Sequence, residues 1–155
     1  LYMLNTQAVQ AAKEAGAGRI TLSVEDCLNN MRALAENAPL PVVMPVYQDA
    51  PLFTSAVCIR ANPCKSCPRG EKWLKLRHEG REYLALSKNC QTMLFAGRPL
   101  CFAAEAEKVA AAFYRVDFVY RRYSPEAAAS VWKKVRAFED VPGCAKGNLV
   151  SGGNF

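Results

Sequence analysis

Four cysteines fall in the pattern C-x5-C-x2-C-x22-C, at Cys58, Cys64, Cys67 and Cys90. Thiols gathered in this way can pair as disulfides, bind zinc, hold an iron–sulfur cluster or supply a reactive nucleophile. Between Cys64 and Cys67 a two-residue turn lets both sulfurs face one ion, and Pro68 and Gly70 help to fix the chain beyond them. Two more thiolates complete a tetrahedral set, which suits Zn²⁺ and a four-iron cluster alike. The surrounding loop, CIRANPCKSCPRG, is polar and interrupted by proline, a poor place to bury inert thiols, so ligation is the expected role. Cys27, on a helical pattern, and Cys101, between Leu100 and Phe102, read instead as small buried apolar groups.

The seven cysteines are an odd number, so any purely intramolecular disulfide scheme leaves one unpaired. The first residues, LYMLNTQAVQ, lack the basic start and long apolar centre of a signal peptide. Clustered thiols then speak for metal or redox chemistry rather than disulfide staples, and the expected location is the cytoplasm. Cysteine catalysis needs a base, and the single histidine, His78, falls at a hairpin tip. A serine triad fails on the same count. Near predicted strand ends, Asn5, Glu25, Arg60, Lys88, Asp117, Arg121 and Arg122 are the polar side chains placed to bind, because ligands of parallel α/β folds lie at the carboxyl ends of strands.

The elements that must position these groups follow from hydrophobic spacing. NTQAVQAAKEAGAG reads as a helix capped by Asn5 or Thr6 and ended by Gly16 or Gly18. RITLS reads as a short strand. VEDCLNNMRALAENA is a second helix with Leu28, Met31, Leu34 and Ala35 on one face, Ser23 as its cap, and Glu25 and Asp26 at the positive end of its dipole. LPVVMPVY is a strand closed off by QDAP. Strand and helix alternating in units of about twenty residues is the signature of a parallel sheet with covering helices. After the cysteine loop, EKWLKL and REYLALS alternate about RHEG, a β-hairpin turning at Gly80 with Lys72, Lys75 and Arg77 facing water. AEAEKVAAAFY reads as helix, RVDFVYR as strand, and SPEAAASVWKKVRAF as a helix with Ser124 at its N-cap and Pro125 at its first position. The aromatic residues Phe113, Tyr114, Phe118, Tyr120, Tyr123 and Trp132 read as core.

At 155 residues and 51% hydrophobic, the chain has the size and apolar content of one domain. No apolar run approaches the roughly 20 residues of a membrane helix, so no membrane partner is expected. The formal charge of +6, from 20 Lys and Arg against 14 Asp and Glu, favours anionic partners without naming one, RNA or a small anionic substrate being the candidates, and in the absence of a long Lys/Arg run it fits an ordinary basic surface equally well. The opening residues LYML read as the middle of a buried strand, which makes the chain a piece of something longer.

LNTQAVQAAKEAGAGRITLSVED resembles a stretch of the collagenase-like peptidase family, peptidase U32, in which a helix precedes a Gly-Ala-x-Arg-Val-x-Leu-Ser-x-Glu motif. REYLALSKNC is similar to that family's Arg-Glu-Tyr-x-Leu-x-Ser-Lys-Asp segment, and VDFVYRRY falls where its members have a barrel strand. The cysteine loop lies where the family has its cysteine region, although the usual Glu-Gly-Arg after the late strand is Tyr120, Arg121 and Arg122 here. The resemblance implies the carboxyl-terminal part of a TIM-like parallel β/α barrel, a single domain over residues 1–155 with the cysteine loop and hairpin, 58–90, as an insertion. It implies oxygen-independent hydroxylation of RNA or a quinone precursor by an iron–sulfur protein, alongside a partner subunit of the same family. Carried over by position, Cys58, Cys64, Cys67 and Cys90 ligate a four-iron cluster, with zinc as the alternative metal, and Glu25, Arg60 and Lys88 line the pocket as catalytic candidates. The alternatives are collagenase-like proteolysis and a zinc-stabilised basic module that binds RNA without catalysis.

Overall fold

The structure is a computed structural model that describes residues 3–60, 70–147 and 149. The chain forms two compact units, one from residues 1–48 and 99–155, the other from residues 49–98.

The first unit is built on one strand. Helix α1 (Thr6–Glu14) leads to strand β1 (Ile20–Thr21), helix α2 (Leu28–Asn37) and strand β2 (Val42–Gln48), every residue of which is buried. A run so uniformly buried fits a strand covered on both faces and paired on both edges. Strand β8 (Phe113–Val116) pairs with β2 in parallel from Val43 to Tyr47. The opposite edge is shared in succession: β1 pairs in parallel at Val42 and Val43, and β7 (Leu100–Cys101) pairs antiparallel at Tyr47 and Gln48. Pro45 interrupts this central strand, and the β8 register shifts between Pro45 and Tyr47. A proline has no N–H to give the ladder, so an irregularity there is expected.

The helices bury short apolar stripes. Val9 of α1, Met31 and Leu34 of α2, and Val131 and Val135 of α4 (Pro125–Arg136) are buried, the three- and four-residue spacings that put side chains on one helix face. Two caps fall where the sequence puts them. Asn5 accepts the Ala8 N–H at 2.8 Å, and Ser124 accepts the Ala127 N–H at 3.2 Å ahead of Pro125.

The second unit is an antiparallel sheet in the order β3-β6-β5-β4, formed by β3 (Pro51–Ser55), β4 (Lys72–His78), β5 (Arg81–Lys88) and β6 (Gln91–Ala96). The β4–β5 hairpin turns at Glu79 and Gly80 with His78 paired to Arg81, and Lys72, Lys75 and Arg77 face water as expected. Among its described residues Ala85, Leu86 and Phe95 are the buried apolar ones, with the Phe95 ring 5.7 Å from that of Trp73.

This architecture corrects the expected TIM-like parallel barrel. The chain is mainly β, and its eight described strands form a mixed sheet and an antiparallel sheet rather than one parallel ring. The alternation of strand and helix did locate the parallel pair of β1 with β2, but the late strand expected at RVDFVYR is Phe113–Val116 instead, parallel to β2, and β7 pairs with β2 antiparallel. Smaller corrections have local causes. Met3 and Leu4 carry no strand, and Leu4 is exposed; Leu1 and Tyr2 lie outside the described residues. Helix α2 starts at Leu28 with Cys27 exposed at its N-cap, while the Ser23 hydroxyl instead accepts the Glu25 N–H at 3.2 Å. Helix α3 is only Ala103–Ala106, because Phe113 and Tyr114 are drawn into the β2 ladder. The Tyr114 hydroxyl then donates back to the carbonyls of Val109 and Ala106, at 3.1 and 3.4 Å. Phe113, Tyr114 and Trp132 are exposed, not core, whereas Phe118, Tyr123 and the buried Tyr47 pack ring to ring.

Candidate functional site

Two of the four clustered cysteines lie at one end of the antiparallel sheet, where β5 meets β6. The chain leaving β3 folds against this end through Thr92. Its hydroxyl donates to the Val57 carbonyl at 2.8 Å and accepts the Ile59 N–H at 3.0 Å. Thr92 is buried, so both contacts are needed to satisfy it. Cys58, held between them, places its Sγ 3.7 Å from the Oγ of Ser87, the residue paired with Thr92 across the hairpin.

One rung further, Lys88 pairs with Gln91, and Asn89 and Cys90 make the turn. Both turn residues have positive φ, 51° and 60°, the pattern of a type I′ hairpin turn, which favours glycine in its second central position. Cys90 therefore stands exposed in a backbone conformation that disfavours its side chain.

Arg60 closes the site from one side. Its Nε donates to Ser87 Oγ at 3.2 Å, and its guanidinium also reaches the carbonyls of Ser87, at 3.4 Å, and Gly70. The Arg60 backbone N–H, then the Ser87 hydroxyl, hold the Cys58 thiol below its ordinary titration range, with the Arg60 charge adding to them against the cost of desolvation. Lys88 sits on the same end with its Nζ 3.5 Å from Glu71 Oε2, and Trp73 donates to the other oxygen of that carboxylate at 3.0 Å. A donor-lined, electropositive setting is what favours the anionic, metal-ligating form of a thiol.

Of the expected site residues, Cys58, Arg60, Lys88 and Cys90 therefore share one end of one sheet. Cys64 and Cys67 lie outside the described residues. Among the described residues no group of three or more His, Cys, Asp or Glu side chains is arranged around a common ion position. Glu25 belongs to the other unit, exposed in the turn after β1. In that unit Arg115 Nε meets Asp117 Oδ2 at 3.0 Å. His78 is exposed beside Glu79 at the hairpin tip, 3.7 Å from its carboxylate.

Sequence reasoning missed Ser87 and Thr92, the two buried polar groups on which the cysteine loop rests. Their signal was available: in REYLALSKNCQT the apolar run toward the turn ends in Ser87, and Thr92 stands at the same distance beyond the turn. No helix among the described residues is long and apolar enough to cross a membrane. Comparison with family models, curated proteins and solved structures finds no match to this chain.

Proposed function

We propose that the chain is an iron–sulfur protein of the collagenase-like peptidase family U32, in which Cys58, Cys64, Cys67 and Cys90 ligate a four-iron cluster used in oxygen-independent hydroxylation of RNA or a quinone precursor. The observation that carries the reading is the placing of Cys58 and Cys90 at one end of the β5–β6 hairpin, one seated on Ser87 and the other projected from a left-handed turn. The two thiols fit ligand duty in their donor chemistry, and Cys64 and Cys67 enter from the sequence pattern alone. Bound there, such a cluster supplies one-electron transfer.

The remaining roles belong to the protein's own side chains. Ser87 orients the Cys58 sulfur, and Arg60 fixes Ser87 while bringing positive charge beside thiolates that would otherwise repel one another. Lys88, steadied by Glu71, offers an exposed cation for an anionic substrate. The role of Glu25 rests on the motif resemblance only.

The deciding experiment is anaerobic purification of the chain with iron, sulfide and zinc analysis and a visible spectrum. The expected result is iron and acid-labile sulfide with broad visible absorbance, lost in Cys58→Ser and Cys90→Ser. Stoichiometric zinc in a colourless protein overturns the cluster and favours a zinc-stabilised basic RNA-binding module. Digestion of casein or gelatin, unchanged by Cys58→Ser, assigns proteolysis instead.

A further inference from the structure

A second thiol pair lies in the first unit, apart from the proposed ligands. Cys101 ends β7 against Tyr47 of the central strand and is fully buried. The sequence Val141-Pro142-Gly143-Cys144 makes a turn in which the Cys144 N–H donates to the Val141 carbonyl at 3.4 Å. Proline in the second place and glycine at φ +78° in the third are the type II pattern, which other residues enter only with strain. The turn delivers Ala145 to β7: Leu100 and Ala145 form a parallel bridge, Ala145 N–H donates to the Pro99 carbonyl at 2.8 Å, and Cys101 N–H donates to the Ala145 carbonyl at 3.0 Å.

That docking sets Cys144, in the turn whose Val141 N–H donates to the Cys101 sulfur, beside that sulfur, and each thiol is the largest influence on the titration of the other. Two backbone N–H groups converge on the same atom, Val141 at 3.5 Å and Ala103. Asp140 Oδ1 stands 3.9 Å from Cys101 Sγ and is held by Lys146 Nζ at 2.6 Å, which also binds Glu105 Oε2 at 2.6 Å. Arg121 acts on Cys144 by charge.

We propose that Cys101 and Cys144 are an oxidisable dithiol, a redox modification site that a hydroperoxide closes to a disulfide and a small dithiol reopens. The half-buried Cys144 is the sulfur that meets the oxidant. As its sulfur attacks one peroxide oxygen, its proton passes to the Cys101 thiolate, the O–O bond breaks, and the alkoxide or hydroxide leaves with a proton from water. Cys101 then attacks the resulting sulfenic acid. The S–O bond breaks and water leaves with the Cys101 proton, so two thiols and one hydroperoxide become one disulfide, one alcohol and one water. The donors around Cys101 support this chemistry, because they hold the first ionisation of the pair down, at about 6 on Cys101, while Cys144 is pushed up by holding the shared proton.

The test uses the whole chain, reduced and then exposed to hydrogen peroxide under native conditions, alkylated, unfolded and digested. The expected product is a peptide pair joined through Cys101 and Cys144, lighter than its parts by two hydrogen atoms and separated again by dithiothreitol. Cys101→Ser, which removes the resolving thiol, yields no such link, and the sulfenic acid left on its Cys144 is captured by dimedone. Recovery of Cys101 and Cys144 as free thiols from peroxide-treated protein whose circular dichroism is native overturns the proposal. The wild-type readout stands without the variant, and the linked peptide differs in mass from any bridge between Cys58 and Cys90, so this reading and the metal centre fail separately.

Discussion

Cys90 occupies in the β5–β6 turn the place that Gly80 occupies in the β4–β5 turn. Each follows a left-handed residue and is left-handed itself, at φ 60° and 76°. Glycine enters that region freely, whereas a side chain bearing a Cβ meets the adjacent carbonyl at a cost of roughly 1–2 kcal/mol. One sheet thus solves the same turn twice, once with the residue that fits and once with a thiol.

Cys90→Gly follows as the most discriminating substitution. It should stabilise the metal-free chain by about 1 kcal/mol, read from the urea midpoint, because it relieves the turn. It should also abolish retention of iron or zinc. Stability and metal content moving together, in either direction, would mean that the thiol is not placed there for ligation.

Ser87→Ala tests how Cys58 is held. The hydroxyl touches Cys58 Sγ and accepts from Arg60 Nε, so its loss removes one support of the thiolate and leaves the guanidinium short of an acceptor. Iodoacetamide should then label Cys58 several-fold more slowly at neutral pH in the metal-free protein, followed by peptide mass spectrometry. Labelling of the exposed Cys27 is the internal control and should not change.

How much of this was legible in the sequence depends on the range over which each signal acts. Ser124 with Pro125, Asn5, and the turn at Gly80 were legible because caps and two-residue turns are decided within four residues. The β3 strand was not, because Pro51 and the exposed Leu52 and Phe53 give no alternating signal, and its place is set by antiparallel pairing to β6 some forty residues later. The barrel expectation failed for a related reason. Uniform burial of Val42–Gln48 says that a strand is central, not whether its neighbours run parallel, and β7 contributes only Leu100 and Cys101 to settle the matter. At the site, spacing singled out Cys58 and Cys90, but Ser87, which seats the first of them, looked like one more polar residue near a turn.

The Cys101–Cys144 pair gives stability a particular pH dependence. Cys101 titrates near 6 in the folded chain against an ordinary 9.0, so between these values the unfolded chain binds more protons and stability rises with pH. Its contribution is complete above 9 and is lost as pH falls through 6. Cys144 is shifted upward, so above its ordinary 9.0 the folded chain keeps a proton that the unfolded chain releases, and stability declines again. Wild type minus Cys144→Ala, compared by urea midpoint, should therefore rise from pH 6 to 9 and fall beyond it. The charges facing the pair, Asp140 and Arg121 directly and Lys146 and Glu105 behind Asp140, are present in both proteins and cancel in the difference. A flat difference would show that the two thiols titrate independently.

The two compact units predict that core and cap substitutions separate in their effects on the proposed metal centre. Phe95 is 1% exposed beneath Trp73, on the strand that follows the Cys90 turn. Its replacement by alanine removes a ring from a four-stranded sheet with few other buried apolar side chains and should cost about 3–5 kcal/mol. Ser124→Ala removes one hydroxyl cap from α4 in the other unit and should cost about 1 kcal/mol. Metal content of the purified proteins should fall with the first substitution and stay at the wild-type level with the second, since only the first loosens the sheet that carries Cys58 and Cys90. Equal loss of metal from both would place the ligands outside the antiparallel sheet.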